Sequence, residues 1–208
     1  TTPVCQDATA PTLIFTGSNG TAPYTFNYTI NDGTTTTNHS VTSANASTST
    51  ATINIPTTAG GTFLYTLVSA EDDNGCLETI TGQSKTFVIN ALPTVNNPTD
   101  LTVCGNESVA AIVFSSPNSL ATSYQWTNSN TAIGLSAASG TADSSNGNEI
   151  ATFTASNSAT QQTATILVTP YYTSGGTTCA GAPESVTITV NPKPEIAVNT
   201  ATICSGET

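Results

Sequence analysis

A short cysteine-containing motif occurs three times in this 208-residue chain at a nearly constant spacing. The copies read Thr2-Pro-Val-Cys5-Gln-Asp7, Leu101-Thr-Val-Cys104-Gly-Asn-Glu107 and Ala201-Thr-Ile-Cys204-Ser-Gly-Glu207. Their cysteines are 104 − 5 = 99 and 204 − 104 = 100 residues apart. A period of about 100 residues is too long for one coil of a solenoid and matches the size of a whole β-sandwich domain. The sequence therefore predicts two domains and the start of a third.

Proline-containing linkers set the predicted domain boundaries. Asn90-Ala-Leu-Pro93 precedes the second motif, and Asn191-Pro-Lys-Pro194 precedes the third. We assign residues 1–93 to repeat 1, residues 94–194 to repeat 2, and residues 195–208 to a linker and the start of repeat 3. Because proline restricts its own backbone and that of the preceding residue, we expect semi-rigid joints between the repeats.

The pattern of hydrophobic residues predicts an all-β fold. Tyr24, Phe26, Tyr28 and Ile30 alternate with polar residues, so they share one face of a strand. Such an aromatic row is a sugar-stacking platform or, more commonly, the core face of a sandwich strand. The single tryptophan, Trp126, is expected to fill the core between two sheets. We predict two tandem immunoglobulin-like β-sandwich domains joined end to end.

Polar and small residues mark the expected margins of the two sandwiches. Residues 34–50 form a Thr/Ser/Asn tract, which predicts an exposed edge strand or a loop. Residues 134–147 are rich in Ser, Ala and Gly and are predicted to form a loop. Residues 110–115 and 149–154 are each predicted to form one strand of repeat 2.

The charge of the chain argues against two classes of partner. Two basic residues against thirteen acidic ones give a formal net charge of −11. Nucleic-acid binding and electrostatic attachment to anionic lipid both need a basic surface. The longest apolar run, residues 109–114, is too short to span a bilayer, so we expect no direct membrane insertion. We expect a monomer whose main partners are neighbouring repeats of the same chain, with any targeting element outside these residues.

The five cysteines predict one disulfide bond in each repeat. Cys76 and Cys179 each follow a turn-like cluster and precede the last strand of a repeat. The simplest pairing is Cys5–Cys76 and Cys104–Cys179, which leaves Cys204. If the first strand runs parallel to the last, a cysteine at the start of each can meet within the roughly 4.4–6.8 Å Cα separation that a disulfide allows. Five free thiols in a cytosolic protein are the alternative, but no Cys-x-x-Cys spacing is present, and bridges indicate secretion.

An acidic cluster is the one candidate metal site. Glu71, Asp72 and Asp73 are adjacent, and the predicted Cys5–Cys76 bridge would bring Asp7 to the same end of the domain. Calcium takes six to eight oxygen ligands, so these four carboxylates are candidate calcium ligands. The alternative is a plain acidic hairpin, because Asp-Asn-Gly is also good turn chemistry. No other cofactor is expected.

Nothing in the sequence predicts catalysis. The single histidine, His39, lies in a polar tract without acidic neighbours and is expected to be a solvated loop residue. A catalytic site needs a poised acid, base or nucleophile in a defined constellation, and no such pattern is present. We therefore predict a non-enzymatic protein.

Several stretches carry a family resemblance. They are Tyr124-Gln-Trp-Thr-Asn128, Ala151-Thr-Phe-Thr-Ala-Ser-Asn157 and Val186-Thr-Ile-Thr-Val-Asn-Pro192 in repeat 2, with Ala22-Pro-Tyr-Thr-Phe and Asp73-Asn-Gly-Cys76 in repeat 1. Together they resemble the PKD-like repeats of giant cell-surface gliding adhesins of the SprB type in Bacteroidetes. The resemblance covers nearly the whole chain and is more specific in repeat 2. It implies a PKD-like sandwich, export by the type IX system, surface display and movement along the cell during gliding.

The sequence is compatible with three functions. The leading prediction is a non-enzymatic stalk segment of a large secreted adhesin, extracellular and held at the outer membrane by other parts of the parent protein. The second is a polysaccharide-binding module that uses Tyr171 or Tyr172, since adjacent strand residues face opposite ways and one must point outward. The third is an accessory β-module of a secreted glycoside hydrolase.

Overall fold

A computed structural model describes residues 2–196, and nearly all of its regular structure is β-strand. Cys204 and the third copy of the motif lie outside the described residues. The strands of repeat 1 are β1 (Val4–Cys5), β2 (Thr12–Thr16), β3 (Thr25–Asn31), β4 (Thr36–Thr42), β5 (Thr50–Asn54), β6 (Gly61–Glu71), β7 (Leu77–Thr79) and β8 (Ser84–Asn90). Those of repeat 2 are β9 (Leu101–Cys104), β10 (Ser108–Val109), β11 (Ile112–Val113), β12 (Ser123–Asn128), β13 (Ser139–Asp143), β14 (Glu149–Ile150), β15 (Phe153–Thr154), β16 (Gln162–Ser174), β17 (Thr177–Ala180) and β18 (Glu184–Asn191).

The main sheets of the two repeats have the same strand order. Repeat 1 has the order β1-β8-β6-β3-β4, with β7 paired to β6, and β2 and β5 pair to form the second sheet. Repeat 2, read from the same edge, has the order β9-β18-β16-β12-β13, with β17 paired to β16. Its second layer consists of the pairs β10–β15 and β11–β14. The prediction of an all-β fold with two immunoglobulin-like sandwiches is confirmed.

The predicted core residues are buried in both repeats. Phe26 is 1% exposed in β3, and Trp126 is 7% exposed in β12, the strand that occupies the same place in the sheet order. Tyr24 and Tyr28 are also buried, so the aromatic row forms a core face, as predicted. The core of repeat 1 is mainly aromatic, whereas that of repeat 2 relies on β-branched side chains such as Ile166 and Ile188 together with its tryptophan.

The polar tract of repeat 1 forms an edge strand. β4 lies at the end of the sheet order, and its side chains are almost all exposed, as predicted for residues 34–50. The prediction that His39 lies in a loop is wrong, because this residue is part of β4 and pairs with Tyr28. The two rings stack with their centroids 5.5 Å apart, so the apolar face of the imidazole covers the tyrosine.

The predicted strand boundaries of repeat 2 are wrong at two places. Residues 134–147 contain β13 and a 3-10 helix (Ser144–Asn146) instead of a loop alone. Small residues permit this strand, because a Cβ on Gly140 would lie 2.5 Å from the ring of Trp126. Residues 149–154 form the two short strands β14 and β15 instead of one, and the strand within residues 110–115 is limited to Ile112–Val113.

The chain divides into two compact units. The first contains the residues up to Val95 together with Ser115–Tyr124 and Thr169–Ala182. The second contains Asn96–Phe114, Gln125–Val168 and the residues from Pro183 on. The β16–β17 hairpin of the second sequence repeat thus belongs to the first compact unit. Within the described residues, no helix is long and apolar enough to cross a membrane.

Candidate functional site

The disulfide bond of the structure joins Cys5 to Cys179. Their Cα atoms lie 5.5 Å apart, and their sequence separation is 174. Within the described part of the chain, Cys76 and Cys104 are free and exposed. The predicted pairs Cys5–Cys76 and Cys104–Cys179 are therefore wrong.

The register of the first strand explains this error. β1 runs parallel to β8, as the prediction assumed, but Cys5 pairs with Asn90, the last residue of β8. Cys76 lies beyond the opposite end of β8, because it follows the turn after Glu71, past the point where Ser84 begins that strand. A strand of 7 residues covers about 20 Å. A disulfide bond cannot span that distance.

The same register holds in repeat 2. Cys104 pairs with Asn191, the last residue of β18, whereas Cys179 lies opposite Tyr172 in the β16–β17 hairpin. The ladder between β16 and β18 ends where Val168 meets Glu184, before that hairpin begins. Each repeat therefore has its first-strand cysteine at the end where the last strand finishes, here called the linker end. Its hairpin cysteine is at the opposite end, here called the hairpin end.

Side chains next to the disulfide bond donate hydrogen bonds to nearby backbone carbonyls. The hydroxyl of Thr177 donates a hydrogen bond of 2.8 Å to the carbonyl of Pro3. The side-chain amide of Asn90 donates one of 3.2 Å to the carbonyl of Ser174. Gly175 has φ +57, and a Cβ at this position would lie 2.6 Å from Cγ of Pro3. Glycine is therefore needed here both for its backbone conformation and for the close approach of the proline.

The linker after β8 is held by the same compact unit. Pro93 is fully buried, and Val95 is 7% exposed. The side-chain amide of Asn118 donates to the carbonyl of Leu92 at 3.0 Å, while its oxygen accepts from the backbone N–H of Thr94 at 3.3 Å. These bonds satisfy polar groups on both sides of the proline, which itself has no N–H to donate.

The acidic hairpin of repeat 1 is organised by one carboxylate. Asp72 accepts hydrogen bonds from the backbone N–H groups of Thr21 at 2.9 Å, Cys76 at 2.8 Å and Asn74 at 3.1 Å. These donors, with Thr21 and then Cys76 foremost, hold the pKa of Asp72 below its usual value because they stabilise the charged form. The arrangement matches the alternative prediction of an acidic turn.

The four candidate calcium ligands are not brought together. Asp7 follows Cys5 at the linker end, where its N–H donates to the carbonyl of Thr57, whereas Glu71, Asp72 and Asp73 belong to the hairpin end. The placement of Asp7 depended on the incorrect Cys5–Cys76 pairing. Among residues 2–196, no group of three or more His, Cys, Asp or Glu side chains is arranged to hold a metal ion.

The two candidate carbohydrate contacts are both half-buried. Tyr171 and Tyr172 lie in β16 opposite Ala180 and Cys179, respectively. The carbonyl of Tyr171 also accepts a hydrogen bond of 2.7 Å from the N–H of Thr122. Neither ring is fully exposed, and neither is fully buried. Their role in binding a ligand stays a prediction.

No protein-family model matches the chain, and no curated protein sequence is significantly similar to it. Similar solved structures include the FN1–FN3 domains of chicken CNTN1, with 11% identity, a TM-score of 0.34, and coverage of 91% of this chain and 65% of that one. The amphioxus IgVJ-C2 molecule is 14% identical, with a TM-score of 0.35 and coverage of 88% and 98%. Invasin, a bacterial integrin-binding protein, is 15% identical, with a TM-score of 0.29 and coverage of 93% and 38%. This chain thus spans less than two thirds of the CNTN1 and invasin structures. The strand order of the molecule itself makes it an all-β protein of two immunoglobulin-like sandwiches.

Proposed function

We propose that this chain is a stalk segment of a large secreted cell-surface adhesin. The observation that carries the proposal is the Cys5–Cys179 bond, which joins the first strand of repeat 1 to the hairpin of repeat 2. Tension applied to the ends of the chain passes through this bond instead of through the segment that it encloses, residues 6–178. A covalent link between repeats suits a segment that gives reach and resists pulling.

Two further features support an extracellular role. A disulfide bond persists in oxidising compartments and is rare in the cytosol. The surface is rich in Thr, Ser and Asn and poor in charge, with 7% charged residues, so a long array of such repeats has little nonspecific electrostatic attraction for its surroundings. Export by the type IX system and a role in gliding rest on the resemblance to PKD-like repeats.

Single-molecule pulling tests the stalk role. The chain is held at its two termini in a Cys76→Ala, Cys104→Ala, Cys204→Ala background, so that only the Cys5–Cys179 pair remains. In the oxidised protein, the enclosed segment should never extend. After reduction, unfolding of the segment between the two cysteines, whose sequence separation is 174, should release about 600 Å at about 3.5 Å per residue.

The matched control for the pulling experiment also carries Cys5→Ala and Cys179→Ala. This variant should give the long extension with or without reductant. If the oxidised protein with the Cys5–Cys179 pair also releases the long extension, the bond carries no force and the stalk proposal fails.

Surface labelling tests the cellular part of the proposal. Antibody against the repeats should bind intact cells of the source bacterium and lose that binding when type IX secretion is disabled. Retention of the protein in the cytoplasm of normal cells would contradict the extracellular assignment, whatever the pulling experiment shows.

A further inference from the structure

Cys104 has the same backbone surroundings as the bridged Cys5. The residue after each cysteine donates its N–H to the carbonyl of the last residue of the last strand. The distance is 2.8 Å from Gln6 to Asn90 and 2.9 Å from Gly105 to Asn191. The next residue has a positive φ in both repeats, 61° at Asp7 and 65° at Asn106. The sequence motif and the structure therefore place Cys5 and Cys104 at equivalent points of two linker ends.

Cys76 and Cys179 are likewise equivalent. β7 and β17 occupy the same place in the strand order, each folded back on the long central strand of its repeat. Cys76 lies immediately before β7, and Cys179 lies within β17. They differ in their surroundings, since Cys179 is 1% exposed and bridged, whereas Cys76 is exposed and free.

The observed bond has a pattern that the two free cysteines, Cys76 and Cys104, could also follow. It joins the linker-end cysteine of one repeat to the hairpin-end cysteine of the repeat that follows. We propose that Cys104 forms the same bond with the hairpin cysteine of a following repeat, and Cys76 with the first-strand cysteine of a preceding one. The partner in both cases is another repeat of this kind. This inference goes beyond the proposed function, because it requires an array of repeats but no adhesive role.

If each repeat were bonded to the next in this way, the loops closed by successive bonds would overlap, and no repeat could be extended by tension. The Cys5–Cys179 bond encloses every strand from β2 to β16 but leaves β18 outside its loop. A bond from Cys104 to a following repeat encloses β18, because that strand lies after Cys104 in sequence. Each last strand would thus be protected by the next bond along the array.

The chemistry is thiol–disulfide exchange with a small disulfide as the oxidant. With oxidised glutathione, the thiolate of Cys104 attacks one sulfur, forms a mixed disulfide and releases one glutathione thiolate. The thiolate of Cys76 from a second molecule then attacks the protein sulfur of that mixed disulfide and releases the second glutathione. Two protein thiols and one oxidised glutathione give one protein disulfide and two reduced glutathiones, so the two electrons pass from the protein to glutathione.

Two variants of the full chain test the complementarity of the free cysteines. Both carry Cys204→Ala; one also carries Cys76→Ala and so keeps free Cys104, and the other carries Cys104→Ala and keeps free Cys76. They are mixed in equal amounts in a glutathione redox buffer and separated without reductant. The heterodimer should exceed the combined homodimers by at least about tenfold, because only Cys104 and Cys76 belong to ends that match.

A displaced thiol serves as the control. Cys76→Ala, Cys104→Ala, Cys204→Ala with Ser47→Cys puts one thiol on an exposed loop residue away from the hairpin. Mixed with the Cys104 variant, it should give only a statistical mixture of dimers. A statistical mixture for the Cys104 and Cys76 pair, or no heterodimer at all, would overturn the proposal.

Discussion

The two repeats share one strand order but finish their hairpins differently. In repeat 1, Asp72 gathers the N–H groups of Thr21, Asn74 and Cys76 around one carboxylate. In repeat 2, the turn contains Gly175 and Gly176, both with positive φ, and no carboxylate is present in the turn. The first hairpin is stabilised by its own side chain, whereas the second has backbone space into which Pro3 fits.

Equivalent positions therefore serve local structure in one repeat and a long-range bond in the other. The position of each cysteine in the strand order is fixed by the repeat. Whether it is bonded depends on which other repeat meets that end.

Removing the Cys5–Cys179 bond should cause the largest loss of stability. A closed loop of 174 residues contributes about 5 kcal/mol on the chain-entropy model. Urea unfolding of Cys5→Ala, Cys179→Ala against the unsubstituted chain measures this loss. The matched control, Cys76→Ala with Cys104→Ala, should change stability by less than about 0.5 kcal/mol, because both thiols are exposed. Equal losses of unfolding free energy in the two variants would mean that the Cys5–Cys179 bond does not stabilise the chain.

Truncating one buried aromatic residue in each repeat should cost slightly less. Phe26→Ala and Trp126→Ala each remove a ring that is at least nine-tenths buried, so each should lower stability by about 3–5 kcal/mol. Circular dichroism during thermal unfolding gives the comparison. A loss below about 1 kcal/mol in either variant would contradict the role of that ring in the core of its repeat.

Adding a methyl group at the second hairpin should have an intermediate effect. Gly175→Ala meets Pro3 and also places alanine at φ +57, so we expect a loss above the roughly 1 kcal/mol cost of the backbone conformation alone. Gly176→Ala is the control, because its φ is also positive, at +81, but no atom lies within 4 Å of the added Cβ. Pro3→Ala in the Gly175→Ala background should recover the excess. Equal melting temperatures for the two single variants would show that the proline contact has no weight.

The smallest effect should come from the carboxylate of the first hairpin. The folded-state pKa of Asp72 is lowered by backbone N–H donors, so its stabilisation is present above the unfolded pKa of about 4 and is lost as the pH falls through the folded value. Asp72→Asn should lower the melting temperature at pH 7, and the gap should narrow below about pH 4. Asp73→Asn, at an exposed neighbour, is the control. A gap that stays constant with pH would contradict the role of the charge.

Much of the fold could be predicted because local patterns determine it. The alternation at Tyr24, Phe26 and Tyr28 identified a core face, and the polar tract at residues 34–50 indicated the exposed edge strand β4. β13 could not be predicted in this way, because it is built from small residues whose place depends on the distant ring of Trp126.

The disulfide site could not be predicted because parallel pairing fixes direction but not register. The alignment of Cys5 with Asn90, at the end of β8, decides which cysteine it can reach. The contact of Pro3 with Gly175 left no signal in either local sequence, since each residue is ordinary where it stands. The signal that could have indicated the correct pairing was the sequence repeat. It shows that Cys5 and Cys104 occupy equivalent positions of two repeats, and a cysteine at such a position can pair with a neighbouring repeat.

A single proteolytic cut shows whether a disulfide bond joins the two repeats. The chain has two lysines or arginines, Lys85 and Lys193, and trypsin does not cut at Lys193 because Pro194 follows it. With free thiols alkylated and the monomer denatured without reductant, cleavage after Lys85 separates Cys5 and Cys76 from Cys104 and Cys179. The account predicts that the two fragments stay joined until a reductant is added. Fragments that separate before reduction would contradict it, because bonds confined to each repeat would leave nothing to hold them together.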